Sequence, residues 1–141
     1  MSFLSEELIY QKSPQELTML LYEACERNIE EALQAFDEKD YIEVNFKLQR
    51  AVDIIERLGA GLNYEAGIIA DQLDQVYNYM SDTLIEANVK KDRQKVETVL
   101  RILRDIATAW KAAFDTQEDK QTIVTKQRTN AYEQNMMYDN E

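Results

Sequence analysis

A chain of 141 residues suits a single domain, large enough to bury a core without disulfides or metal. Three glycines and one proline leave few interruptions in a sequence dominated by good helix formers, so an all-α fold is expected. A net charge of -11, from 27 acidic against 16 basic side chains, repels phosphate backbones and anionic lipid heads, which excludes nucleic acid and membrane insertion.

Ser13 can cap the first helix, Pro14 fits its first turn, and Glu16 stands three residues after Ser13 to close a capping box. The first helix is predicted from about Pro14 to Phe36, with Leu21, Cys25, Ile29, Ala32 and Phe36 on one stripe. Cys25 is the only cysteine, so no internal disulfide can form, and its place on the stripe assigns it to core packing. The turn Asp37-Glu38-Lys39-Asp40 leads to a second helix carrying Val44, Leu48, Ala51, Ile55 and Leu58, which Gly59 and Gly61 are expected to end. A third helix is expected from near Glu65, with Ile69, Leu73, Val76, Tyr77, Met80, Leu84 and Ala87 as its stripe, fading between Asn88 and Asp92. Asp92 can cap a fourth helix from about Arg93 to Phe114, whose inner face holds Val96, Leu100, Leu103, Ala107, Trp110 and Phe114. Four helices of about 20 residues joined by short turns read as an antiparallel up-down four-helix bundle over residues 1–115. The periodicity stops after Asp115, so residues 116–141 read as a flexible C-terminal tail that ends in an aromatic and methionine-rich segment, 129–138.

Catalysis finds little to work with. The chain has no histidine, which removes the usual triads, the His-Glu-x-x-His zinc motif and the Glu-x-x-His pairs of di-iron bundles. Glycine stands only at 59, 61 and 67, so neither a phosphate-cradling loop nor a dinucleotide fingerprint can be built. Adjacent acids such as Glu30-Glu31 and Asp37-Glu38 point apart on a helix and read as a solvated face. No enzyme, metal or cofactor is expected. No apolar run approaches the roughly 20 residues that cross a bilayer, and the opening Met1-Ser2-Phe3-Leu4-Ser5-Glu6-Glu7 lacks the regions of a signal peptide, so a cytoplasmic location is expected.

Surface features point instead to a partner. Tyr77 and Tyr79 lie about 200° apart around their helix, so one ring can be core while the other is exposed. Tyr77 shares a stripe with Leu73, Met80 and Leu84 and fits core packing; Tyr79 is the ring a groove would use, although a single exposed tyrosine needs no explanation. On the second helix Ile42, Phe46 and Ile54 exceed what one narrow stripe requires. They mark either a wide core-facing surface or an apolar groove for an amphipathic helix from another protein.

Three segments carry a family resemblance: Ser13-Pro14 with Leu17 and Leu21-Tyr22; Leu73 with Tyr77-Asn78-Tyr79-Met80, Leu84 and Ala87-Asn88; and Ala109-Trp110. Their order and spacing, with Ala51 and Leu58 between, resembles the flagellin-specific export chaperones of bacteria, the FliS family, over roughly residues 13 to 114. The resemblance implies a small antiparallel bundle that binds the disordered C-terminal segment of flagellin in apolar surface grooves, prevents premature polymerisation and keeps it competent for export. It also implies contact with the flagellar export gate through the client complex. The client-binding candidates are then Leu17, Leu21, Tyr22, Phe46, Ile54, Tyr77, Tyr79, Met80 and Leu84. Members of the family usually carry an Asn- and Tyr-containing segment before Ser-Pro that covers the groove, and residues 1–12 lack it. Asn130-Ala131-Tyr132-Glu133-Gln134-Asn135 at the other end is similar to it, so Asn130, Tyr132, Asn135, Met136, Met137 and Tyr138 are expected to form a self-covering tail or simply a disordered one. A helical adaptor or scaffold that self-associates through its exposed apolar surface is the alternative reading.

Overall fold

The computed structural model describes the backbone of residues 13–65 and 67–139 and the side chains of residues 13–62 and 68–116. Helix α1 spans Pro14–Asp37, α2 Tyr41–Glu65, α3 Ala70–Lys90 and α4 Arg93–Asp139, with a short 3-10 turn at Gly67–Ile69 before α3. The chain divides into two units, Met1–Ala107, which holds the bundle, and Thr108–Glu141, which is the remainder of the chain.

Local chemistry explains each start. The Glu16 N–H donates to Ser13 Oγ at 3.2 Å and the Leu17 N–H to the Ser13 carbonyl at 3.0 Å, so Ser13 caps α1 as its sequence implies. Asp40 accepts from the Glu43 N–H at 3.2 Å and Asp92 from the Lys95 N–H at 3.4 Å, capping α2 and α4 in the same manner. Lys39 and Lys91, at φ of 59° and 54°, make the left-handed residues that end α1 and α3.

Cross-helix contacts fix the topology. Lys47 of α2 pairs with Glu31 of α1 at 2.5 Å, while four residues further along α2 the Ala51 carbonyl faces Cys25 Sγ, lower on α1. Asn45 meets Asn88 and Gly59 lies opposite Asp74, so α2 and α3 also run antiparallel. Arg104 donates to Glu26 and Glu30 at 2.8 Å each, and Arg93 to Asp37, which closes α4 back onto α1. The result is an all-α, up-down four-helix bundle. Its centre is filled by Tyr22, Ile29, Leu48, Ile55, Met80, Leu84, Val96, Val99 and Leu103, each almost wholly removed from water.

Three boundaries differ from expectation. Gly59 and Gly61 do not end α2, which continues to Glu65. An isolated helical glycine costs only about 1 kcal/mol, and the burial of Leu58 and Leu62 on either side outweighs it. The third helix begins at Ala70 rather than near Glu65, with Ile69 exposed at its start instead of packed in the stripe. The fourth helix does not stop near Phe114 but carries helical backbone to Asp139. Its apolar stripe fades there, yet residues 115–139 contain neither glycine nor proline, and intrinsic propensity sustains a helix where patterning gives no signal.

A Cβ added at Gly59 would meet only Asp74 Oδ1, at an ordinary 3.8 Å. Gly59→Ala is therefore expected to raise stability by about 0.5–1 kcal/mol, read as a higher urea midpoint at unchanged slope.

Glu86 bridges α3 to α4 by accepting from Lys90 and Lys95, both at 2.8 Å. Those hydrogen bonds hold its carboxyl down from 4.5 to about 2. A depressed carboxylate contributes its stability above the ordinary value and loses it as pH falls through the folded one. The melting-temperature gap between the parent chain and Glu86→Gln should close as pH drops from 4.5 towards 2, and added salt should shrink it, because the pair is exposed.

Candidate functional site

The register of α2 against α3 leaves a groove of about 420 Å³ on the outer face of the bundle, lined by Asn45, Leu48, Gln49, Val52, Asp53, Leu84, Ile85, Asn88 and Val89. Leu48 and Leu84 form its floor and belong equally to the core. Its walls follow helical spacing: Asn45, Gln49 and Val52 recur at four and three residues on α2, and Ile85 and Val89 at four on α3. Ile42, three residues before Asn45, extends the same α2 stripe. Ile42 is 86 % exposed, Val89 79 % and Ile85 51 %, so among the described residues two branched apolar side chains stand uncovered on the groove wall and a third, Ile42, stands uncovered one turn beyond it on α2.

Amides tie the two walls together. Asn88 Nδ2 donates to Asn45 Oδ1 at 2.7 Å, Gln49 Nε2 donates to the same oxygen at 3.2 Å, and Asn88 Oδ1 accepts from Lys91 Nζ at 2.5 Å. This chain fixes the groove width without filling it and leaves further amide N–H and C=O capacity at the mouth. Asn88, expected to finish the third helix, does hold its terminal turn through Lys91 but also reaches across to α2.

The sequence-derived candidates separate by depth. Tyr22, Ile54, Tyr77, Met80 and Leu84 are buried. Tyr22 and Tyr77 meet edge to face, ring centroids 6.5 Å apart, with their hydroxyls hydrogen-bonded to one another. They thereby tie diagonally opposed α1 and α3 through the bundle centre. Leu17 and Leu21 are half-buried on the first turns of α1. Phe46 and Tyr79 are exposed, at 50 % and 54 %, but on different faces. Phe46 lies under Arg50 and Lys47, whose cations stand 5.5 and 5.8 Å from its ring centre. Tyr79 shares a line on α3 with Glu86, two turns on, and so looks towards α4. The side chains of Asn130, Tyr132, Asn135, Met136, Met137 and Tyr138 lie outside the described residues. Reading one stripe per helix misses Asn45, Gln49, Val52, Ile85 and Val89; the signal that could have found them is the second apolar pair Ile85 and Val89, one residue beyond Leu84 and Asn88.

Cys25 is fully buried with its thiol towards the Ala51 carbonyl at 3.7 Å, and burial, aided by Glu26, pushes it up to about 12. At neutral pH it is an inert packing group. Among the described residues no cluster of three or more metal-ligating side chains occurs, and no helix is long and apolar enough to cross a membrane. What the groove can do is bind.

The sequence profile of a family described as Flagellar protein FliS matches residues 5–117. A flagellar secretion chaperone FliS from Salmonella typhimurium is 33 % identical over 108 residues, covering 75 % of this chain and 80 % of that protein. Its counterpart from Bacillus subtilis is 33 % identical over 105 residues, covering 74 % and 78 %. A third, from Vibrio cholerae, is 42 % identical over 65 residues, covering 45 % and 48 %.

Proposed function

This chain belongs to the FliS family of flagellar proteins, and from that membership we propose that it is a cytoplasmic, ATP-independent chaperone that holds the disordered C-terminal segment of flagellin before flagellar export. It has the non-catalytic character of its family, whose similar members are named flagellar secretion chaperones. The observation that carries the reading at the level of residues is the uncovered apolar groove between α2 and α3. A client that is disordered when free spends binding energy on its own ordering, so it gains most from a long path over preformed apolar surface. Ile42, Ile85 and Val89, with Phe46 and Tyr79 on neighbouring faces, would provide that path. Leu17 and Leu21 would border it, while Tyr22, Ile54, Tyr77, Met80 and Leu84 would set the helix spacing beneath it. The export gate would be met through the client complex.

Calorimetric titration with the C-terminal segment of flagellin from the same organism, beside a scrambled control, tests the reading. Saturable one-to-one binding with a large negative heat-capacity change and a gain in helicity supports it. Absence of binding by both the full chain and a version cut at about residue 120 removes flagellin as client. Concentration-dependent mass without any client would then favour self-association through the same apolar side chains.

We further propose that segment 129–138 competes with the client as a tethered, weak ligand, which requires the helical backbone that runs to Asp139 to unwind ahead of that segment. If it occupies the surface from half to nine-tenths of the time, truncation at about residue 120 should tighten client binding by about twofold to tenfold. Unchanged or weaker binding would reject the competition.

A further inference from the structure

We propose that the groove between α2 and α3 accepts a client helix in one direction only, with the helix N-terminus at the Asp53 end and its C-terminus at Lys91. The inference rests on the chaperone reading above and specifies how that one stretch of surface orients what it binds.

The groove has a chemical polarity along its length. At one end Asp53 stands on its wall. Exposed Glu56 and Asp82 flank it, Glu56 one turn beyond Val52 on the α2 stripe and Asp82 three residues before Ile85 on α3. At the opposite end the ammonium of Lys91 is anchored by Asn88 Oδ1 at 2.5 Å, and Asn88 lines the groove. The neighbouring Lys90 is engaged by Glu86 on the side towards α4. Asp40 and Asp92, also at this end, are occupied as helix caps. The dipoles of α2 and α3 run in opposite directions and largely cancel, so the side-chain charges decide the sign: at one end Asp53, Glu56 and Asp82 outnumber Arg57, with Arg50 turned to Phe46, and at the other Asp40 and Asp92 keep their charge but direct it at the cap N–H groups. Between the two ends only amides and apolar groups line the walls.

An α-helix laid in this space carries about half a positive charge at its N-terminus and half a negative charge at its C-terminus. Set with its N-terminus at Asp53, it places both poles beside opposite charge; reversed, both meet like charge. The favoured direction is parallel to α3 and antiparallel to α2. From Ile42 to Asp53 the α2 wall measures about 16 Å at 1.5 Å per residue, room for roughly three turns. Ile42, Ile85 and Val89 would meet apolar client residues spaced three and four apart, and the Asn45, Gln49 and Asn88 amides a neutral polar residue between them.

The test uses the full chain, isotope-labelled, with the flagellin C-terminal segment carrying a nitroxide at successive positions four residues apart. For the labels that broaden groove amides, those nearer the client N-terminus should act on Asp53 and Asp82, and later ones on Ile42, Asn88 and Lys91. The reverse order overturns the proposal, as does binding in which no label reaches the groove; both leave the chaperone reading standing. Failure of the segment to bind at all overturns the chaperone reading and this inference with it. Lys91→Glu and Asp53→Lys should each weaken binding by about threefold to thirtyfold at low salt, less at high salt, with unfolding curves that stay close to the parent. Unchanged affinity in both variants would also reject the assigned direction.

Discussion

Leu84→Ala is expected to lower stability by about 3 kcal/mol, within the 2–5 kcal/mol range of buried leucine truncations, while Ile85→Ala, one residue along, should change it by less than about 0.5 kcal/mol. The two side chains leave the same turn of α3 and line the same groove, but Leu84 is 0 % exposed and Ile85 is 51 % exposed. Removing Leu84 withdraws its methyl groups from the layer where α2 and α3 meet and opens a void beside Leu48. Antiparallel helices tied by the Asn45–Asn88 contact can close that void only in part. Removing the Ile85 methyl groups opens nothing, because solvent already reaches them. For a chain of this length 1 kcal/mol corresponds to about 2–4 °C, so thermal unfolding should show Leu84→Ala about 6–12 °C below Ile85→Ala. The order should reverse in client titrations under native conditions. Ile85→Ala removes surface a client would cover, whereas Leu84→Ala acts through the shape of the floor. Equal melting temperatures for the two variants would mean that Leu84 is not part of the core.

The contrast also shows where the sequence was legible. Heptad-like spacing identified Cys25, Ile29, Val44, Leu48, Met80, Leu84, Val96 and Leu103 as core, because each stripe had to face the other three helices. Of the two readings of the surplus residues on α2, the wide core-facing surface holds for Ile54. Ile54 and Val99 are buried as well, since a helix in a compact bundle presents a face more than 100° wide. Tyr22 and Tyr77 could be placed on their helices from sequence; that their hydroxyls pair through the centre depends on the diagonal register of α1 and α3, which no local pattern encodes. The end of α2 is not legible at Gly59 because local propensity carries nothing about the burial of Leu62, and the end of the helical backbone of α4 is not legible because loss of an apolar stripe is not loss of helix. The groove was the least legible feature. It arises from the pairing of Asn45 with Asn88, residues 43 apart in the chain, and of the three exposed apolar side chains along it only Ile42 stands out in the sequence as surplus to the core.

Replacing Ile42, Ile85 and Val89 together by glutamine is expected to weaken binding of the flagellin segment by about a hundredfold or more while leaving the bundle folded. All three are exposed, at 86 %, 51 % and 79 %, and glutamine is a better helix former than either residue it replaces. The free protein therefore loses little and sheds exposed apolar surface. The complex loses three anchors. Full burial of a branched apolar side chain is worth about 1.5–3 kcal/mol; scaled by the exposure left in the free chain, the three sum to roughly 3–6 kcal/mol. Imperfect burial in the complex and the polar reach of glutamine reduce this, which leaves about 3 kcal/mol, or a little over a hundredfold. Asn45→Ala should by comparison cost less than about tenfold, since it removes a neutral hydrogen bond at a wet rim. Titration of each variant, with helicity and melting temperature measured on the same samples, separates surface loss from unfolding. Full affinity in the triple variant would move the client off the outer face of α2 and α3, leaving Phe46 under its two cations and Tyr79 beside α4 as the exposed anchors on which it could fold.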